Sequence, residues 1–152
     1  MRAGEYARDM DRLEVRLAPH EDKDIGRWVA VDLLVNGENL KAFVASFEQA
    51  RGFEPVGGYD SISLEGLQPA AARLTGSPNS WPGNGETVLL VCEGCREEGC
   101  WPIFARVDLF EEVVEWSAFR QPHRPDRDYT DLHFTFDRRH YDAEIRLAFS
   151  QA

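Results

Sequence analysis

Cys92, Cys95 and Cys100 crowd into the segment VCEGCREEGCWP. A Cys-x-x-Cys turn brings two sulfurs within reach of one metal ion, and Gly94 and Gly99 leave room for the tight backbone of a metal knuckle. The chemistry this spacing points to is soft-metal binding, with zinc the first candidate. Structural zinc takes four ligands and the turn offers three. A knuckle would place the fourth at Ala105, so His123 becomes the candidate fourth ligand, because it follows a strand expected to pair back toward the cysteines. Two other readings stay open. Thiols of a Cys-x-x-Cys pair attack disulfides when their pKa is lowered, but such pairs sit at helix N-termini, whereas here the flanks read as strands and Glu93, Glu97 and Glu98 work against ionisation. Alternatively the cysteines are small hydrophobes in a hairpin loop.

A second group is WSAFRQPHR, in which Trp116, Phe119, Gln121, His123 and Arg124 leave a strand for a proline-rich loop. His123 and Arg124 at such a strand end could bind a carboxylate or phosphate. The plainer alternative puts Trp116 and Phe119 in the core and makes His123 a structural histidine. His20, His133 and His140 have no ligand spacing to one another, and no nucleophile-elbow, zinc-protease, phosphate-loop or dinucleotide motif is present. Asp126, Asp128 and Asp131 lack the glycine and glutamate of a calcium loop and read as a solvated acidic run.

These groups need a scaffold, and its elements are legible in places. Leu13, Val15 and Leu17 alternate with charged residues, the mark of a half-buried strand, and Arg27 to Val35 is a second strand that pairs with it across HEDKD. Asn36-Gly37 invites a further hairpin, but Leu40, Phe43, Val44 and Phe47 recur at helical spacing, so a helix over about 39–51 is expected, ended by Gly52. From Gly52 to Glu86, glycine and proline break every period. Leu64, Leu67, Ala71 and Leu74 allow one short helix there, and Trp81 lies in an exposed connection. Thr87 to Val91 reads as a buried strand. Ile103 to Leu109 and Val114 to Ala118 form a hairpin with Val107 facing Trp116 and Leu109 facing Val114, at the cost of Asp108 opposite Glu115 unless Arg106 helps. Asp137 caps a final helix over about 138–150.

The expected fold is therefore α+β, one domain over 1–152: a mostly antiparallel sheet of about five strands, with a helix after strand 2 and a C-terminal helix packed on it. The formal charge of -10 repels phosphate backbones and anionic lipid, so nucleic acid and membranes are not expected partners, and a protein with a basic surface is. No segment approaches the ~20 apolar residues of a membrane span, and the N-terminus is charged rather than leader-like. An odd cysteine count argues for reduced thiols and a cytoplasmic location.

VLLVCEGCREEGCWPIFARV, VVEWSAFRQPHR and FTFDRRHYDAEI together resemble a family of small bacterial proteins with a cysteine and glycine turn ending in GCWP, a WxxFxQPHR segment and a closing FDxxxY helix. The resemblance runs over roughly 28–150, and family members often carry CxCG where this chain has CEGC. It implies a bacterial cytosolic protein, no particular activity, and a shared site at Cys100, Trp101, Trp116, Gln121, His123 and Arg124. The expected function is a non-enzymatic protein-interaction or binding domain. It would carry a metal at Cys92, Cys95, Cys100 and His123, and a binding face made by Trp101, Trp116, Gln121, His123 and Arg124. The competing expectation is a small enzyme or ligand-binding protein with a pocket between the Cys92–Cys100 turn and the QPHR loop, His123 acting as acid or base, Arg124 as anion anchor and a cysteine as nucleophile.

Overall fold

The computed structural model describes residues 10–24, 26–65, 69–76, 82–97 and 99–150. The alternating N-terminal segment forms strand β1 (Leu13–Asp22), paired antiparallel with β2 (Gly26–Val35) from Leu13 opposite Val35 to Asp22 opposite Gly26. Strand pairing runs on through His20, so the charged turn is shorter than HEDKD, and His20 stacks on its cross-strand partner Trp28.

Asn36 and Gly37 have φ of 54° and 86°, the positive pair a tight hairpin turn requires. The hairpin does form, but only as the two-residue strand β3 (Glu38–Asn39), after which helix α1 (Leu40–Ala50) takes over. Asn39 makes the switch, its side chain accepting from the N–H of Lys41 as an N-cap. At the other end Gly52 has φ 73°, and the N–H groups of Gly52 and Phe53 donate to Gln49 and Glu48 carbonyls in the paired pattern that closes helices. Leu40 and Val44 are fully buried, and Phe43 and Phe47 pack beside them.

The segment expected to be mostly loop holds β4 (Tyr59–Ser63), α2 (Ala70–Leu74) and the two-residue β5 (Pro82–Gly83). Pro69 caps α2 from just outside it, where its missing N–H costs nothing. Leu67 and Trp81 lie outside the described residues. Then follow β6 (Glu86–Cys92), β7 (Ile103–Leu109), β8 (Val113–Arg120), β9 (Phe134–Asp137) and α3 (Arg138–Phe149). In the β7–β8 hairpin Val107 lies opposite Trp116, Leu109 opposite Val114 and Asp108 opposite Glu115, with Arg106 3.7 Å from Asp108 to relieve the like charges.

The expectation of about five strands is wrong. Nine strands form one sheet in the order β1-β2-β4-β6-β7-β8-β9, with β3 and β5 added to β2 and β6, and every strand pairing is antiparallel. The strands missed are short: two residues show no period, and FTFD runs straight into a helix cap. The helix expected after strand 2 follows β3 instead. The sheet also curls until its edges meet, because Asp11, just before β1, bridges to Phe136 of β9 and exchanges hydrogen bonds with Thr135. Asp137 caps α3 by accepting from His140 N–H, and α3 docks through Tyr141 and Ile145. Among the described residues, no helix is long and apolar enough to cross a membrane.

Candidate metal centre

Strand β6 ends at Cys92, directly across the ladder from Tyr59 of β4. The chain then reverses, the N–H of Arg96 bonding back to the Cys92 carbonyl at 2.8 Å while Glu93 N–H holds Gly58 O at 2.9 Å. Arg96 sits at φ 60°, a left-handed conformation that costs a side-chain-bearing residue about 1–2 kcal/mol. Its side chain offsets that. The guanidinium donates to Asp60 Oδ2 at 2.7 Å, Ser61 O at 3.0 Å and Ser63 Oγ at 3.1 Å, and lies 4.6 Å over the Trp28 ring. The cysteine turn is thereby bolted to β4 and β2.

On this turn the Sγ atoms of Cys92, Cys95 and Cys100 lie within 4.8 Å of one another. Tetrahedral zinc with Zn–S of about 2.3 Å spaces its sulfurs about 3.8 Å apart, so the three need close by no more than about an ångström to hold one ion. Partial burial pushes the Cys92 thiol up. Hydrogen bonds from the Cys95 backbone N–H, the Cys100 side chain, the Gly94 backbone N–H and the Cys95 side chain outweigh it, and the net shift is down. Cys100 is pushed up to about 12, chiefly by its contacts with the Cys95 and Cys92 sulfurs. Three thiols this close cannot all ionise alone; a bound divalent cation removes that repulsion and deprotonates coordinating thiols outright. Cys95 and Cys100 are exposed and Cys92 half-buried.

His123, the expected fourth ligand, is next to the turn but outside the sulfur cluster. Its Nε2 donates to Gly99 O at 2.7 Å and its ring is stacked on Trp101, 6.4 Å between centroids and 7° from parallel. Trp101 is the centre of the expected binding face. Its Nε1 donates to Gly57 O at 3.0 Å, Tyr59 stacks on it, and the guanidinium carbons of Arg124 and Arg127 lie 5.0 Å and 6.0 Å from its ring centroid. Gln121 is buried beneath, its Oε1 accepting from His123 N–H at 2.6 Å while its Nε2 finds no partner among the described residues. Arg124 is exposed and donates to the carbonyl of His123.

Trp116 is elsewhere. It is fully buried, edge-on to Phe134 and Phe136, and its Nε1 donates to Tyr141 OH, which in turn donates to Leu74 O. The WxxFxQPHR and FDxxxY segments thus meet through their first and last residues to lock α3 and α2 onto the sheet. Asp128 caps a turn at Thr130 and Asp131 pairs with Arg51, so the acidic run does not converge on a cation.

Sequence reasoning missed a cluster behind this face. Glu48 is wholly buried on α1, its Oε1 accepting from Gly57 N–H at 2.8 Å and its Oε2 from Tyr59 OH at 2.6 Å, Tyr129 OH at 2.6 Å and Arg127 Nη1 at 3.0 Å. Arg127 Nη2 also donates to Pro55 O at 2.7 Å. Burial, then the Glu48 carboxylate, drive the Tyr59 hydroxyl far up, while Tyr129, likewise raised first by burial, reaches about 12. One signal for it was available: Glu48 continues the Leu40, Val44 stripe at the next i+4 position, an acid on the buried face of a helix.

One cleft of about 540 Å³ lies at the far end of the β1–β2 hairpin beside His20, Arg27, Trp28 and Glu65. Two of about 410 and 360 Å³ flank the start of β1. Between the turn and the QPHR loop, the rings of Trp101 and His123 stack. In comparisons with known proteins, no family model, no curated protein and no solved structure matches the chain.

Proposed function

We propose that the chain is a metal-dependent protein-interaction domain, in which Cys92, Cys95 and Cys100 hold one zinc-type divalent ion and the adjacent face of Trp101, His123 and Arg124, backed by buried Gln121, contacts a protein partner. The observation that carries this reading is the three-sulfur cluster on a turn fixed by Arg96, with backbone N–H groups of Gly94 and Cys95 directed at Cys92 Sγ. Thiolate is the form such hydrogen bonds favour and the form that ligates metal. The formal charge of -10 favours a partner with a basic surface and steers it by long-range attraction. The ion organises the turn, and the turn presents Trp101.

Metal content measured by native mass spectrometry on protein purified without a histidine tag, with thiol titration before and after unfolding, tests the metal half. The expected result is one divalent ion per chain and three thiols that react only after unfolding in chelator. A metal-free protein with three freely titrating thiols overturns it. Affinity capture with metal-loaded and chelator-stripped protein tests the other half: a stoichiometric basic partner is expected with the loaded form alone, and equal capture by both forms counts against metal dependence.

A further inference from the structure

Every cysteine and histidine of the chain lies within the described residues, so the nitrogen and sulfur donors can be followed one by one. The three cysteines make the cluster. His123 Nε2 is bonded to Gly99 O, His140 Nε2 to Leu13 O at 3.0 Å, His20 is stacked on Trp28 at the far end of a hairpin, and none of the four histidines joins the cluster. Three thiolates leave a tetrahedral ion one position short, and with Cys95 and Cys100 exposed that position faces outward. Three thiolates on a divalent ion also leave a net negative charge. Glu93 and Glu97 are exposed beside it and form no ion pair among the described residues, while the nearest turn cation, Arg96, is committed to Asp60. A second anion at the ion is disfavoured by that surround.

We infer that the fourth coordination position is an open, exchangeable one, and that its occupant is a neutral nitrogen donor, a histidine imidazole brought by a basic protein partner. This rests on the metal reading above. The step is a ligand exchange: an imidazole ring nitrogen donates its lone pair to the ion as a bound water leaves, with no proton or electron transferred. A neutral donor adds no charge to the cluster, and the basic residues around such a histidine meet the acidic surface.

Cobalt(II)-loaded protein reports the site through its visible absorption, with free imidazole and acetate as probes. Imidazole should shift the ligand-field bands saturably, and more tightly than acetate by about tenfold or more, the effect of roughly one unfavourable close charge. The Glu93→Gln, Glu97→Gln double variant should narrow that gap by improving acetate binding, and His123→Ala should leave the cobalt spectrum unchanged. Cobalt bound with thiolate charge-transfer bands but no response to imidazole overturns the inference and keeps the metal reading, since a group of the chain then closes the site. A changed spectrum in His123→Ala does the same and names that group. Failure to bind cobalt at all overturns both.

Discussion

The cysteine turn and the Glu48 cluster lie back to back, and they differ in how their polar atoms are used. Tyr59 connects them, opposite Cys92 on one side and bonded to Glu48 on the other, and Trp101 hangs from Gly57, whose N–H Glu48 holds. Glu48 is wholly buried with both oxygens occupied by donors from four residues. The three sulfurs gather as tightly but are largely exposed, and nothing among the described residues completes them. A closed polar set fixes structure; an open one is free to bind.

The largest effect should come from breaking the closed set. Glu48→Ala leaves the Arg127 guanidinium, 4% exposed, without its carboxylate, and removing one partner of a buried ion pair costs about 3–5 kcal/mol. The denaturant midpoint should fall accordingly, while metal bound per folded chain stays the same. Loss of metal from protein still shown to be folded would mean that the two regions are one unit.

Emptying the open set should cost less. With free ion at about a hundred times its dissociation constant, binding adds about 2.7 kcal/mol to stability. A chelator, or Cys92→Ser, should remove about that much and no more. Thermal unfolding with and without chelator measures it, and a larger loss would make the ion a folding requirement.

The alkaline limb tests the closed set through Tyr129. Tyr129 titrates at about 12 in the fold, raised by burial, against about 10 when unfolded, and Tyr59 is raised further. Between those values the native state holds protons that the unfolded state has released, so stability is full below pH ~10 and falls as pH rises toward about 12. Tyr129→Phe should flatten that fall in urea midpoints taken from pH 9 upward. Parallel profiles for the two proteins would mean that Tyr129 is not held protonated by this cluster.

The same contrast explains what could be read from sequence. Long strands with one buried face declared themselves, so the β1–β2 pair and the β7–β8 register were legible from Leu13, Val15, Val107 and Trp116. Strand β4 was not, because its buried positions include Ser61, bonded to Asp32, beside half-buried Asp60, bonded to Arg96: side-chain pairing replaced hydrophobic alternation. The three clustered sulfurs were visible because Cys92, Cys95 and Cys100 are close in sequence. The Glu48 cluster joins residues up to 81 positions apart, and no spacing rule reaches that far. His123 shows the middle case, since its proximity to the turn was legible but its hydrogen bond to a backbone carbonyl was not.

The smallest expected effect concerns Arg124, and it bears on which set that residue belongs to. Its guanidinium lies over Trp101 and donates to a carbonyl one residue away, and the residue is exposed. An exposed cation over an aromatic ring contributes about 0.5–1 kcal/mol. Arg124→Ala should therefore lower the urea midpoint only slightly and leave the cobalt spectrum intact, whereas Arg127, committed to Glu48 and Pro55 on the inner side of the same ring, has no such freedom. A loss in Arg124→Ala comparable to that in Glu48→Ala would place Arg124 in the closed set and remove it from the binding face. A near-silent substitution that weakens capture of the partner would leave it where its exposure puts it, as a contact available to another protein.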